Sequence, residues 1–544
     1  MEIKKNQDHR SSSTGDEKSV SSRLQSPSDH APASPLSGSF GRGWLRHLAA
    51  AALVPQALIP TPRAEASDQR AHPPPIVQLT PSGVINLALE RFDSLDTNKD
   101  SFIGQEEVAT FANRVDLLPN ESQLAASLVS AYPGIVTTTV DLGDGLLREW
   151  EISRGDLKGF NRQLGKVAVE VESVKEARRF LLNEKGFESI DQNGDLALDR
   201  AEVQRATGSI DPQVAEVARV IKASYSDIRA TNTNELPEER VGITKDDLLY
   251  YSSTIIEAHG PKSAYLSMTS AISGSHRAVS ERLSNSAWEA IRPENFAIVP
   301  EAVQQGRTGN CYFLASLLSL SSVDPELLRN IITSSGDGKF TVQFPGDPNN
   351  AIVLELPTDV ERALFAKAAS PQYSWVPILE KAAGLYVQRE GAHHLGSYDD
   401  QVLMLPAQYI GGGGWAEHSL ELITGNKATR YDYRAGQSAA TQPMERVLIS
   451  AFEPGARIAV VASTAHRGES CKVNEAGLVT SHAYAVLGYS VSAEGEGSVI
   501  IANPHGDNPR FEEAALIMPL SLFQKHFDVI QTCPTSSARL AKSE

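Results

Sequence analysis

Two twelve-residue stretches constrain this chain more than any other feature, because each prescribes a helix, a tight loop and a second helix. The first places Asp96, Asn98 and Asp100 at its first, third and fifth positions and closes on Glu107; the second repeats the pattern with Asp191, Asn193, Asp195 and Glu202. Ca2+ takes about six to eight hard oxygen ligands, and this spacing wraps them around one point. The main-chain carbonyls of Phe102 and Ala197 fall at the seventh position, and the closing Glu can bind through both oxygens. Ahead of the first loop, Ile85, Leu89, Phe92 and Leu95 share one helical face. Ser173 to Glu176 reads as a capping box opening the helix that enters the second loop. Ser101 and Leu196 stand at the sixth position, where the sharp turn favours Gly. That predicts a strained loop or a weaker affinity, not a lost site.

An internal repeat accompanies the loops. Glu151-Ile152-Ser153 to Asp156-Leu157 and Gly242-Ile243-Thr244 to Asp247-Leu248 resemble the second half of an EF-hand, each following a good loop by a similar interval. Their first positions, Gly145 and Leu236, supply no side-chain oxygen. EF-hands bury their apolar faces by pairing, so the resemblance implies four units over residues 81–260, two binding Ca2+ and two degenerate. The charge agrees: 31 acidic against 19 basic side chains fall in residues 81–260, which gives −12 of the chain's −17. Such acidity suits a cation partner and argues against nucleic acid, whose phosphates need a basic surface.

A chain of 544 residues exceeds one hydrophobic core, so two or three domains are expected. Residues 1–80, dense in Ser, Pro and charge, read as a disordered tail. Within it, Arg42 and Arg46, the apolar stretch Leu48 to Ile59 and Ala64-Glu65-Ala66 follow the order of a signal peptide. Export and a cytoplasmic location stay open at this point. No apolar run is long enough for a transmembrane segment. Residues 261–280, rich in Ser, Gly and His, read as a linker. From Ser284 onward helices give way to alternating strands, Arg457–Ser463, Ala483–Tyr489 and Ser498–Ala502. The expected architecture is thus an all-α region followed by a distinct α+β domain over residues 281–533, with a short tail at 534–544.

Three cysteines do not make a disulfide scaffold, although a Cys471–Cys533 bridge stays open. The remaining cysteine is the informative one. In Gln305-Gly306-Arg307-Thr308-Gly309-Asn310-Cys311, a polar, glycine-rich run stops at Cys311, and Phe313, Leu314, Leu317 and Leu318 then mark an apolar helix. A cysteine at a helix N-terminus meets backbone N–H groups and the positive end of the dipole, which favour thiolate. A thiolate nucleophile also needs a base and a group to orient it. His482 opens one strand, and Asn503 follows the next; as antiparallel neighbours they come within hydrogen-bonding reach.

These stretches resemble the calpain protease core, itself similar to papain-like enzymes. The resemblance rests on Gln305-Gly-x-x-Gly309-x-Cys311, Ser374-Trp375 to Glu380-Lys381-Ala382, Gly413-Gly414-Trp415 to Thr424-Gly425, Ser481-His482-Ala-Tyr484 and Asn503-Pro504-x-Gly506, in family order over residues 284–532. It implies a cysteine endopeptidase acting on protein or peptide substrates. Cys311 would be the nucleophile, His482 the base, Asn503 its orienter, and Gln305 with the Cys311 N–H the oxyanion hole. Asn310, Tyr312 and His505 stand where the family usually has Asp, Trp and Trp; a second imidazole at 505 is expected to be inert. Further calcium ligands in the core are implied, with Asp507, Glu512 and Glu513 nearby but unassigned. The rival reading is a catalytically silent calpain-like module whose calcium loops do the work.

Overall fold

A computed structural model describes residues 76–136, 151–230, 242–245, 247–248, 261–285, 288, 291–335, 338–392, 395, 404–434, 442–464, 474, 476–506 and 515–535. The signal-like segment, Gly145, Leu236, Cys471, Asp507, Glu512 and Glu513 lie outside these residues. Among the described residues, no helix is long and apolar enough to cross a membrane.

The first part is helical. Helix α1 (Pro81–Glu90) leads to the first acidic loop, strand β1 (Phe102–Ile103) and helix α2 (Gln105–Ala112). Helix α3 (Pro119–Val136) follows, then β2 (Ile152–Ser153) and α4 (Arg154–Leu182). The second loop carries β3 (Ala197–Leu198) and α5 (Arg200–Ala206), before α6 (Pro212–Ala223) and β4 (Ile243–Thr244). Strand β1 pairs antiparallel with β2, and β3 with β4, so each acidic loop is zipped to one degenerate repeat. Ser101 and Leu196 both take left-handed backbone, with φ of 73° and 65°. For a side chain with a Cβ this costs roughly 1–2 kcal/mol.

Two expectations about this region fail. Ser173 opens no helix. It lies inside the 29-residue α4, whose apolar stripe of Leu164, Val167, Val171, Val174 and Leu181 continues unbroken from the first repeat into the approach to the second loop. Residues 261–280 are no linker either. They belong to helix α7 (Pro261–Ser284), which buries Ala264, Ser267, Met268, Ala271, Ile272, Ser275 and Ala278 on one face.

The second part mixes helix and sheet. Helix α8 (Cys311–Val323) is followed by a three-stranded sheet of β5 (Ile332–Ser334), β6 (Lys339–Val342) and β7 (Ile352–Glu355). Helices α9 (Asp359–Leu364), α10 (Trp375–Glu390) and α11 (Ala416–Thr424) complete the helical half. Strands β8 (Thr429–Asp432), β9 (Ile458–Thr464), β10 (Ala483–Val491), β11 (Gly497–Ala502), β12 (Ala515–Pro519) and β13 (Phe527–Pro534) form an antiparallel sheet in the order β12-β11-β10-β9-β13-β8. Strand β13 runs through Pro534, one residue into the expected tail.

Alternation along these strands divides the sheet between two cores. Ala459, Val461, Ala483 and Ala485 face α8, and Val460, Ala462, Tyr484 and Val486 form the other core. Alanines on the first face let α8 approach the sheet closely. The helical part and the mixed part are not separate bodies. One core joins residues of α1 to α4 with Ala264, Met268, Ala271 and Ile272 of α7, with Val360, Ala363, Leu364 and Phe365, and with Met404 to Ala407. The repeats from Val174 to Leu248 keep a core of their own.

Candidate active site and acidic loops

Helix α8 begins at Cys311, as the sequence predicts. The segment before it is held at many points. Gln305 N–H donates to the Pro504 carbonyl at 2.7 Å, Arg307 N–H to Leu364 at 2.8 Å, and Gly413 N–H to Gly309 at 3.0 Å. The chain passes so close to its neighbours that a Cβ on Gly306 would fall 2.1 Å from the Phe365 carbonyl oxygen, and one on Gly309 2.4 Å from that of Gly411. Only glycine fits at either position. Asn310, fully buried, donates from Nδ2 to Glu380 Oε1 at 2.7 Å, and Glu380 Oε2 accepts from Ala366 N–H at 2.8 Å. Tyr312 reaches the Ile410 carbonyl at 3.0 Å and lies beneath Gly414.

The other half of the site comes from the sheet. Thr464, at the end of β9, pins the His482 backbone from both sides: its Oγ1 accepts from His482 N–H at 3.0 Å, and its own N–H donates to the His482 carbonyl at 3.0 Å. The β10–β11 register sets Ala485 opposite Ala502, which carries Asn503 to the His482 ring. Asn503 Oδ1 accepts from His482 Nε2 at 2.9 Å, and both residues are buried. An amide oxygen only accepts, so Nε2 carries the hydrogen and Nδ1 is the basic nitrogen. Tyr484 meets the imidazole edge-on at 5.1 Å and 89°. His505 stacks on it at 5.1 Å and 12°, a flat partner in place of an indole.

Cys311 is partly exposed. Burial pushes its thiol up from the ordinary value, against backbone hydrogen bonds with Ala483, Tyr312 and its own amide. The Ala483 bond sets the sulfur beside the residue that follows His482. Burial pushes His482 down to about 4, against the Asn503 bond. In this conformation desolvation opposes the helix terminus: burial raises the thiol and lowers the imidazole. Among the described residues no hydrogen bond joins the sulfur to the imidazole. Gln305, 3% exposed, donates from Nε2 to the Thr308 carbonyl at 2.7 Å, and that nitrogen carries a second hydrogen. Cys533 is a buried, unbridged thiol.

Both acidic loops share one hydrogen-bond plan. Asp96 Oδ2 accepts from Ser101 N–H at 2.9 Å, and Asp191 Oδ2 from Leu196 N–H at 3.0 Å. Asn98 Oδ1 accepts from Asp100 N–H, and Asn193 Oδ1 from Asp195 N–H. Glu107 Oε1 reaches back to Thr97 and Asn98, as Glu202 Oε1 does to Gln192 and Asn193. Phe102 and Ala197 begin the short strands at the seventh position. Carboxylate oxygens of Asp191, Asp195 and Glu202 lie within 4.8 Å of one another, the one such cluster among the described residues. In the repeats, Asp156 and Asp247 instead fold onto the hydroxyls of Ser153 and Thr244 and are buried there. An all-oxygen donor set suits a hard cation, and the loop donors fit Ca2+.

Sequence reasoning missed Arg307 and the partner of Asn310. Arg307 is the only charged side chain between Glu301 and Asp324, which could have marked it. Its guanidinium donates to the Ser267 carbonyl at 3.0 Å and to the Ser267 hydroxyl at 2.9 Å, across to α7.

Residues 281–513 match the sequence model of the calpain family cysteine protease. Calpain-9 of Mus musculus is 27% identical over 192 residues, covering 34% of this chain and 25% of that protein. Calpain-5 of Caenorhabditis elegans is 26% identical over 205 residues, 34% of this chain and 28% of its own. Calpain-12 of Homo sapiens is 24% identical over 310 residues, 48% of this chain and 39% of its own. The chain thus spans well under half the length of these relatives.

Proposed function

Residues 281–513 are a calpain family cysteine protease domain, and from that premise we propose that the chain is a calcium-binding cysteine endopeptidase acting through Cys311, His482 and Asn503. The observation that carries this reading is the 2.9 Å bond between His482 Nε2 and Asn503 Oδ1, buried beside the helix start that bears the thiol. In the reaction, His482 Nδ1 takes the proton of Cys311, and the sulfur attacks the scissile carbonyl carbon. Negative charge gathers on the carbonyl oxygen, where Gln305 Nε2 and the Cys311 N–H donate to it. The C–N bond then breaks, and the imidazolium gives its proton to the leaving amine. Water, deprotonated by the same nitrogen, releases the acid from the sulfur. Asn503 keeps the ring in the tautomer that leaves Nδ1 basic.

Asp96, Asn98, Asp100 and Glu107, with the Phe102 carbonyl, would hold one Ca2+; Asp191, Asn193, Asp195 and Glu202, with the Ala197 carbonyl, would hold another. Bound Ca2+ supplies positive charge that fixes each loop. These loops and their zipped repeats read as four EF-hand units.

The second reading is a catalytically silent calpain-like module in a calcium-binding interaction protein. Casein cleavage separates the two. Cleavage by the full chain that vanishes in Cys311→Ala supports the peptidase. Cleavage that survives in Cys311→Ala refutes the assignment, and none in the wild type supports the silent module.

A further inference from the structure

The two acidic loops are alike in sequence but not in what lies behind them. The core behind the first loop continues into the protease through α7, Val360 to Phe365 and Met404 to Ala407. Among the described residues, the core behind the second contains no residue of the protease domain. Each loop hands its strand to a tyrosine in the same way: Tyr132 OH donates to the Ile103 carbonyl at 3.0 Å, and Tyr225 OH to that of Leu198 at 2.9 Å. Among the described residues, the first of these contacts leads onward by hydrogen bonds to α7. Tyr132 lies on α3, where Ser130 Oγ, half a turn away, donates to the Ser267 carbonyl on α7 at 3.3 Å. The same carbonyl, and the Ser267 hydroxyl, take the two bonds from Arg307. Arg307 stands two residues after Gln305 and four before Cys311, with its own N–H on Leu364. Helix α7 sits tightly on α9, since a Cβ on Gly274 would fall 2.6 Å from the Ala363 carbonyl oxygen.

We propose that the first loop, and not the second, governs the nucleophile segment, with Arg307 as the positioning residue that transmits its state through Ser267 on α7 and Tyr132 on α3. This rests on the calcium-binding peptidase reading. The loop has a reason to change on loading. Glu107 spends Oε1 on Thr97 N–H, the Thr97 hydroxyl and Asn98 N–H, and Oε2 on Gly104 N–H. Binding Ca2+ through that carboxylate would compete with these donors, and the adjoining β1 is the strand Tyr132 holds. A ligand shifts an equilibrium only by its different affinity for two states, and this rearrangement supplies the difference. Arg307 is a rigid link because its planar guanidinium spans two acceptors on one residue, and burial pushes its pKa down without uncharging it.

The test uses the full chain with two readouts, casein cleavage and hydrogen exchange of the segment 304–310, each with Ca2+ or chelator. In the wild type, Ca2+ should slow exchange at 304–310 by roughly tenfold and raise cleavage alongside it. Glu107→Gln should remove both effects, and Glu202→Gln should keep both. Arg307→Lys, which keeps the charge but not the forked pair of bonds, should still take up two Ca2+ by calorimetry. It should lower kcat more than it raises KM, and exchange at 304–310 should no longer respond to Ca2+. Loss of both effects in Glu202→Gln, or an Arg307→Lys chain that responds as the wild type does, overturns the proposal. A wild type that binds Ca2+ and cleaves casein while 304–310 ignores Ca2+ overturns this inference alone. A wild type that binds no Ca2+ overturns the underlying calcium reading along with it.

Discussion

Glu380 shows how a single side chain sets the terms of the site. It is 1% exposed, with one oxygen on Asn310 and the other on Ala366 N–H. Asn at 310 suits it, since an Asp there would press a second carboxylate against the first. Burial pushes the Glu380 carboxyl up to about 7, the two hydrogen bonds pull it down, and Glu361 raises it further. The folded chain therefore keeps this proton to higher pH than the unfolded chain, whose carboxyl ionises near its ordinary 4.5. Stability is full below the unfolded value, falls as pH rises through the folded value, and levels off above it. The loss is on the order of 3 kcal/mol. Glu380→Gln cannot titrate, so its urea stability should be flatter across that range than the wild type's, whatever its absolute level. An unchanged slope contradicts the assignment. The motif containing Glu380 was legible in the sequence; its partner was not, because Asn310 and Glu380 are seventy residues apart and neither names the other. Ser101 and Leu196 were legible as misfits, and the backbone there is left-handed as a glycine position demands.

Among elements, α7 departs furthest from its expected form. Its composition of Ser, Gly and His suggests a loop, and Ala and Ser make up most of its buried face, so the helical period carries little hydrophobic signal. Those small residues let α7 lie against α3 and α9. Gly274→Val would thrust a branched side chain into the Ala363 carbonyl, already 2.6 Å from a bare Cβ position. It should cost about 1–3 kcal/mol, seen as a lower urea midpoint at unchanged slope. A midpoint equal to the wild type's would show that the contact is slack. The strands of the large sheet were far easier to read. Their alternation is set by one face on α8 and the other on a second core, and β9, β10 and β11 fall within a residue or two of their expected bounds. The spacing of His482 and Asn503 followed from that register, and they are bonded.

At the scale of the molecule, the order of parts was legible, a helical region followed by an α+β region, but their fusion was not. Local periodicity reports which face of a helix is buried, never against what. The apolar faces of α1 to α4 are covered partly by one another and partly by the protease, whereas the repeats from Val174 to Leu248 close on themselves. A calpain family domain with one acidic loop built into its own core and a second acidic loop on a core of its own is the arrangement that results. Whether it works as an enzyme turns on the Cys311 sulfur, whose thiol burial holds up while the His482 imidazole is held down. The direct measurement is the rate at which iodoacetamide alkylates Cys311 against pH in the presence of Ca2+, in the wild type and in His482→Ala. A sulfur activated by that imidazole should react well below the ordinary thiol value of 9, and His482→Ala should move the inflection up to or beyond it. Two profiles that rise together in a single step above that value would contradict the triad.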